Sequence, residues 1–442
     1  MQSGTLILPE WLISNTQSTP NFQWGVRVVG DRVTEVAPNQ DLLISYPNDR
    51  VWHAPNQVLA PGFVNSHLHI YGVLAHGIPL KKAPAGFWPF LEDFWWPLIE
   101  NRIDHPMLQS ATNLRCFQMI RTGVTTFYDI TEAPNALPGC LDVQADVVRK
   151  WGLRGILSFE ACERVSAQNG QLGLQENLQF IDACRHRNDL VSGLMSIHTT
   201  FTCSESFIRT AYSMAQDRNV LFHAHVSEGT YEPEYCQRKF GMRAIPYYQQ
   251  IGVASPSFLA SQCVQLDDVE IRGIASSGIR VSHMPLSNCE VGGGIAPIPQ
   301  LLAAGATVGL GSDGYIDDFF EVMRGAFLIH KANQLNPLVM PAQQVWYMAT
   351  EGGAKALNLE NIGRLEPGWQ ADLQLINASF PTPLEEHNLY DQLLLYRGIR
   401  DVAAVMIAGQ VRMEKGEVLG ADYAKLVANT HEAAESLWKQ AR

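Results

Sequence analysis

The chain has no Cys-x-x-Cys pair, no uninterrupted apolar run long enough to cross a membrane, no low-complexity segment and no internal sequence repeat. Its eight cysteines stand singly, at Cys116, Cys140, Cys162, Cys184, Cys203, Cys236, Cys263 and Cys289. That excludes a paired-cysteine zinc ribbon, and in a chain of 442 residues it argues for reduced core thiols rather than a disulfide framework. Positive charge is scarce. Lys and Arg number 32 against 44 Asp and Glu, a formal net charge of −12, which argues against nucleic acid or an anionic membrane as the main partner. The start, MQSGTLILPEWLI, has neither a basic stretch nor a cleavage site, so no signal peptide is expected, and the single cysteines lead to the expectation of a cytoplasmic location. Apolar residues at 46% and charged residues at 17% are ordinary for a soluble globular enzyme, and the charge does not identify a substrate.

What is present begins with Pro61 to His69. A β-rich apolar run ends there in His67-Leu68-His69. Side chains two apart on a strand share a face, so both imidazoles can reach one divalent ion. Such a pair also arises by chance, and further ligands at later strand ends are the test of it. From residue 58 to residue 365 strand-like and helix-like segments alternate. The strand candidates are Val58 to Val64, Gly123 to Tyr128, Gly155 to Phe159, Leu194 to Ile197, Val220 to Phe222, Phe258 to Ala260, Ile279 to Val281 and Thr307 to Leu310. Segments of helix length, such as Met107 to Arg121, Leu141 to Trp151, Leu174 to Arg185 and Ser206 to Arg218, lie between them. Eight parallel strands with intervening helices predict an α/β fold, a (β/α)8 TIM-like barrel, with its chemistry at the C-terminal strand ends. Residues 1–57 and 366–420 are both β-rich and are expected to build one small β-sandwich from the two chain ends. Residues 421–442 have helical spacing.

The strand ends carry the polar residues. Strand one gives His67 and His69, strand four His198, strand five His223, His225 and Glu228, strand seven His283 and strand eight Asp313. Core histidines with satisfied partners have no reason to gather at one end of a barrel. Three imidazoles and a carboxylate with an open position make a hydrolytic metal site rather than a closed structural one. A metal there lowers the pKa of bound water towards neutrality. A second carboxylate off the metal can carry a proton to the leaving group, and Glu228 is placed for that. Its alternative is a loop carboxylate in a surface pair.

In this order the residues resemble the amidohydrolase superfamily, and more closely its chlorohydrolase and cytosine/guanine deaminase-like branch. The matching stretches are Pro61 to His69, Thr122 to Phe127, His223 to Glu228, His283 to Asn288, Leu310 to Gly314 and Gly363 to Leu373. Trp95 to Leu98, Phe320 to Phe327 and Phe380 to Leu384 also look like aminohydrolases linked by name to selenium metabolism, a group that implies no secure substrate. The resemblance implies that His67, His69, His225 and Asp313 hold one divalent metal. Zinc is favoured, and iron or manganese fits the same ligands. It implies that Asp313 takes a proton from the attacking water, that Glu228 protonates the leaving nitrogen and that His198 touches the substrate. Strand four has no lysine, so a single metal is expected.

One position departs from the branch. Gln262 stands where a histidine usually ends strand six. Its amide can donate a hydrogen bond but cannot carry a proton or a charge at neutral pH. Three explanations are open: a substrate of different polarity, a neighbouring His283 or His223 taking over, or loss of the usual deaminase chemistry. The segment Phe87 to Trp96 is strongly aromatic, and Trp95 and Trp96 are candidates for a lid over a flat ring. Packing against the barrel, or against a second subunit in a homodimer or higher homo-oligomer, is the competing reading. Lys81 and Lys82 before it are expected to be solvated.

The leading expectation is a metal-dependent hydrolase. A metal-bound hydroxide would deaminate a nitrogen heterocycle of purine, pterin, pyrimidine or triazine type. The runner-up acts on, or cyclises, a guanidino, ureido or formimino group. A non-catalytic binder on the same barrel is the third reading, and the retained proton carrier Glu228 counts against it.

Overall fold

The computed structural model describes residues 3–187 and 189–441, so the first two residues of the expected N-terminal segment and the last of the expected C-terminal helix lie outside it. Eight strands close into a barrel: β1 (Phe63–Leu68), β2 (Val124–Thr131), β3 (Arg154–Ala161), β4 (Met195–Ile197), β5 (Phe222–Val226), β6 (Phe258–Gln262), β7 (Arg280–His283) and β8 (Thr307–Leu310). All neighbours run parallel, and the ring closes where Ser196 and Ile197 of β4 pair with Glu160 and Ala161 of β3. β1, β2, β5 and β6 are buried at every residue. Burial on both faces is what a parallel sheet under a layer of helices requires, and it explains their near-continuous apolar character.

The helices start where the sequence supplies caps. Asp104 accepts from the Met107 amide to open His105–Arg121, and Ser166 accepts from Asn169 to open Ala167–Arg185. Ser204 opens Glu205–Asp217, and Asp267 with Glu270 forms a reciprocal capping box on Asp268–Ser277. Cys140–Trp151 stops at Gly152 in the left-handed region.

Both chain ends enter one sheet. Arg50–Pro61 pairs in parallel with Thr5–Leu12 on one side and antiparallel with Leu373–Asn377 on the other. Trp24–Val29 and Arg32–Pro38 extend it at one edge, and Val402–Ile407, Gln410–Glu414 and Glu417–Val418 at the other. The hydrogen-bonded path is continuous. The sheet curls so far that its two outer hairpins meet: a Cβ added to Gly409 would fall 1.9 Å from the Gly30 carbonyl oxygen. Ile7, Leu12, Val26, Leu59, Leu373, Leu375 and Met406 fill the space inside the curl.

Val58 to Val64, expected to be one barrel strand, is divided. Val58 to Pro61 belongs to the curled sheet, and the barrel begins at Phe63, whose amide donates to the Gly123 carbonyl at 2.9 Å. Gly62 is the joint. Its amide donates to the Asp372 carbonyl at 3.0 Å, and a Cβ there would lie 2.2 Å from Thr125 Cγ2, so only glycine lets the two layers approach. Arg154 locks them further, with Nε 2.9 Å from Asp372 Oδ2. The C-terminal helix, Tyr423–Ala441, lies on His105–Arg121, and Trp438 donates through Nε1 to the Leu74 carbonyl at 2.8 Å. Among the described residues, no helix is long and apolar enough to cross a membrane.

Candidate active site

The strand ends bring three imidazoles together. A nitrogen of each of His67, His69 and His225 lies within 4.8 Å of the others, and all three side chains are buried. Neither ring nitrogen of His67 has a hydrogen-bond partner. Burial, with His225 and His69 beside it, holds the His67 imidazole well below its usual range. A buried imidazole with both nitrogens unpartnered, facing two others, suits a divalent ion.

The other two imidazoles are aimed by ties from behind. His69 Nδ1 donates to the Ile130 carbonyl at 2.7 Å, which turns Nε2 towards the triangle. His225 Nδ1 lies 2.7 Å from Glu160 Oε1 at the end of β3. Carboxylate and carbonyl ties of this kind fix the tautomer and ring orientation of metal-binding histidines. Asp313 stands beside the triangle with Oδ1 3.5 Å from His69 Nε2. Its backbone is in the left-handed region, at φ +60°, and its amide donates to the His67 carbonyl at 3.1 Å. The strained turn therefore presents the carboxylate over β1 rather than along β8.

Glu228 follows β5, is half-buried and lines the same cavity, which has a volume of about 300 Å³. Burial and the Asp313 carboxylate push it up to about 8, against the pull of His225. His198 also lines the cavity, with Nδ1 3.0 Å from the Thr202 hydroxyl. Burial, with His225 nearby, lowers it to about 3 although Glu160 opposes this, so it is neutral.

Gln262 closes β6 at φ +71°. Its Nε2 donates to Asp313 Oδ2 at 2.8 Å, and its Oε1 is buried with no partner. Neither proposed substitute reaches the cavity. His223 is held behind it, with Nδ1 2.8 Å from Ser196 Oγ and Nε2 3.0 Å from Ser261 Oγ. His283 Nε2 faces His330 Nε2 at 3.1 Å. Both side chains are fully buried and neither lines the cavity, so neither stands in for Gln262 there.

The aromatic segment does cover the site. Phe90–Ile99 forms a π-helix, and Phe87, Phe90, Phe94 and Trp95 line the cavity. Trp95 stacks on Phe90 at 5.3 Å. Trp96 does not line the cavity. It packs edge-on behind His198 at 5.8 Å, under the Arg164 guanidinium at 5.1 Å. Successive residues of a helical turn point in different directions, so the two tryptophans cannot share one face. Trp88 stacks on Tyr231 at 3.9 Å, and a Cβ on Gly229 would lie 2.8 Å from Phe87 Cβ. Lys81 and Lys82 are exposed.

Glu160, Tyr71, Glu100, Glu132 and Arg164 also build the site and escaped the sequence reading. Glu160 falls one residue beyond the expected third strand, and its position at a strand end was the one available signal. The others lie in no local motif.

A model of the amidohydrolase family matches residues 58–412. A 5-methylthioadenosine/S-adenosylhomocysteine deaminase of Pelotomaculum thermopropionicum is 31% identical over 419 residues, covering 92% of this chain and 93% of that protein. A 5'-deoxyadenosine deaminase of Methanocaldococcus jannaschii is 30% identical over 397 residues, covering 88% and 91%. The crystal structure of an adenosine deaminase from Xanthomonas campestris with bound zinc superposes with a TM-score of 0.90 at 24% identity, covering 99% of each chain.

Proposed function

The chain belongs to the amidohydrolase family, and from that premise we propose that it is a metal-dependent deaminase of an aminated nitrogen heterocycle, with the adenine ring of a nucleoside as the first candidate. The observation that carries this reading is the triangle of buried imidazoles with Asp313 and Glu228 at its edge, under an aromatic lid. His67, His69, His225 and Asp313 would hold one divalent ion, zinc by the chemistry of the donors. Such an ion supplies the acidity that activates water at neutral pH.

The reaction adds water to the ring carbon bearing the amino group, breaks that C–N bond and leaves a carbonyl and ammonia. Asp313 takes a proton from the incoming water. Glu228, carrying its proton at neutral pH, delivers it to the departing nitrogen. Gln262 holds Asp313 in position through its amide. Neutral His198 offers a hydrogen bond to the ring, and Trp95 with Phe90 and Phe94 encloses it and keeps bulk water out.

Eight free cysteines, seven of them buried, support a reducing and therefore cytoplasmic setting. Exposed Leu328, Leu335 and Leu338 at the end of the helix Phe319–Gln334 and just beyond it support assembly as a homodimer or higher homo-oligomer. Light scattering on a size-exclusion column tests the second point. The functional test is an ammonia-release screen of aminated heterocycles with the zinc-loaded and the iron-loaded enzyme. Turnover of adenine nucleosides is expected. Release from guanidino compounds alone would overturn the ring-deaminase reading.

A further inference from the structure

The cavity wall is one-sided in its charge. Glu100, Glu160, Glu228, Glu290 and Asp313 line it, and among the described residues no lysine or arginine does. Behind the wall the imbalance deepens. Carboxylate oxygens of Glu100, Glu132 and Glu160 all lie within 4.8 Å of one another, and the three side chains are 1–2% exposed. Buried acids this close need cations, protons or donors to offset them. One guanidinium is at hand: Arg164 reaches Glu100 Oε2 at 2.9 Å and pairs also with Glu132. Tyr71 donates its hydroxyl to Glu100 Oε1 at 2.9 Å, and Glu160 is matched by His225. Glu132 Oε2 remains buried without a partner.

A second observation comes from another strand end. Gln262 is 1% exposed and lines the same cavity. Because its amide nitrogen is committed to Asp313, the atom left over is the carbonyl Oε1, an acceptor with nothing to accept. One orphan acceptor and several carboxylates thus belong to residues lining the space where the substrate would sit. Tyr71, Phe90, Phe94 and Trp95 add electron-rich ring faces, which favour a cation over an anion. Burial and the neighbouring Glu132 push the Glu100 carboxyl well above its usual range although Arg164 opposes this, so a further cation beside it would stabilise its charged form.

We propose that the wall formed by Glu100 and Glu160, backed by Glu132 and Arg164, binds a protonated amine or guanidinium carried by the substrate away from the carbon under attack. The proposal rests on the deaminase reading and narrows its substrate to a cationic, donor-rich heterocycle. Arg164 has its fork committed to two carboxylates and is not free to meet a phosphate or a carboxylate. A substrate bearing either would meet like charge along the wall.

The test uses the full-length, zinc-loaded protein and three adenine nucleosides that differ at one position: 5'-deoxyadenosine, 5'-amino-5'-deoxyadenosine and adenosine 5'-monophosphate. A charge-assisted hydrogen bond predicts kcat/KM for the amine about tenfold above the neutral nucleoside, and the monophosphate about tenfold below it. Equal values, or the reverse order, overturn the proposal. In Glu100→Gln the ratio of amine to neutral nucleoside should fall to about one. Should that variant fail to fold, Tyr71→Phe serves instead. It frees a Glu100 oxygen and should hold or raise the ratio, and a fall to one would overturn the assignment. If no nucleoside reacts, the deaminase reading fails and the subsite is judged by calorimetry. Benzylamine should then bind about tenfold tighter than benzyl alcohol, and equal binding overturns the subsite. A second equivalent of divalent metal that disappears in Glu132→Gln would also overturn it, by giving the three carboxylates another occupant.

Discussion

Glu160→Gln isolates the tie that aims one imidazole of the proposed metal site. Of the three, His69 is fixed by the Ile130 carbonyl, which no side-chain change removes, and His67 has no partner at all. Glu160, with Oε1 2.7 Å from His225 Nδ1, is the tie that mutation can reach. Glutamine has nearly the same shape and keeps an oxygen acceptor, so the ring should stay in place while the negative charge behind it is lost. Removing such a partner typically costs about 10–100-fold in metal affinity, equivalent to about 1.4–2.7 kcal/mol. The assay is zinc competition against a chromophoric chelator. Thermal melting followed by circular dichroism checks that the variant is folded. A folded variant whose zinc affinity stays within about twofold of the parent would refute the argument, since the expected loss is at least five times larger.

Glu228→Gln should keep its metal and lose about 10²–10⁴-fold in kcat, measured by ammonia release beside metal analysis. In the proposed reaction the protonated form of Glu228 donates, and burial with Asp313 pushes its titration up to about 8. In the parent kcat should therefore decline as pH rises through about 8, and Glu228→Gln should lack that limb; a parent profile flat to pH 9 would contradict the assignment. Trp95→Ala should raise KM by about tenfold through lost ring contact, whereas Trp96→Ala should act mainly on kcat by loosening His198, and steady-state kinetics separates the two. Gly62→Ala should cost about 1–3 kcal/mol in denaturant unfolding, and adding Thr125→Ala, which removes the two nearest clashing atoms, should recover part of it.

The barrel was legible because its parallel strands are short, largely buried runs and its longer helices, such as Cys140–Trp151 and Glu205–Asp217, are bounded by a glycine or a cap. The site was legible where residues cluster locally, as in His67 with His69 and His225 with Glu228. Val58 to Val64 misled because both the curled sheet and the barrel call for the same apolar β-formers there, and the break at Gly62 depends on how closely Thr125 approaches. Trp96 misled because a π-helix leaves no periodic pattern that says which of two adjacent rings faces inward. Glu100, Glu132 and Arg164 were invisible for another reason. Arg164 is 64 residues from Glu100 and 32 from Glu132, and only the closure of β2 and β3 makes them neighbours.

The strand Arg50–Pro61 has a consequence for how the chain is made. One of its edges is covered by Thr5–Leu12, synthesised just before it, while the other waits for Leu373–Asn377. Throughout synthesis of the barrel, that apolar edge stands open on the ribosome, with backbone groups ready to pair with any passing strand. The barrel's foundation is laid first and sealed last, so a chain stalled before residue 373 carries the Gln57 to Pro61 edge uncovered.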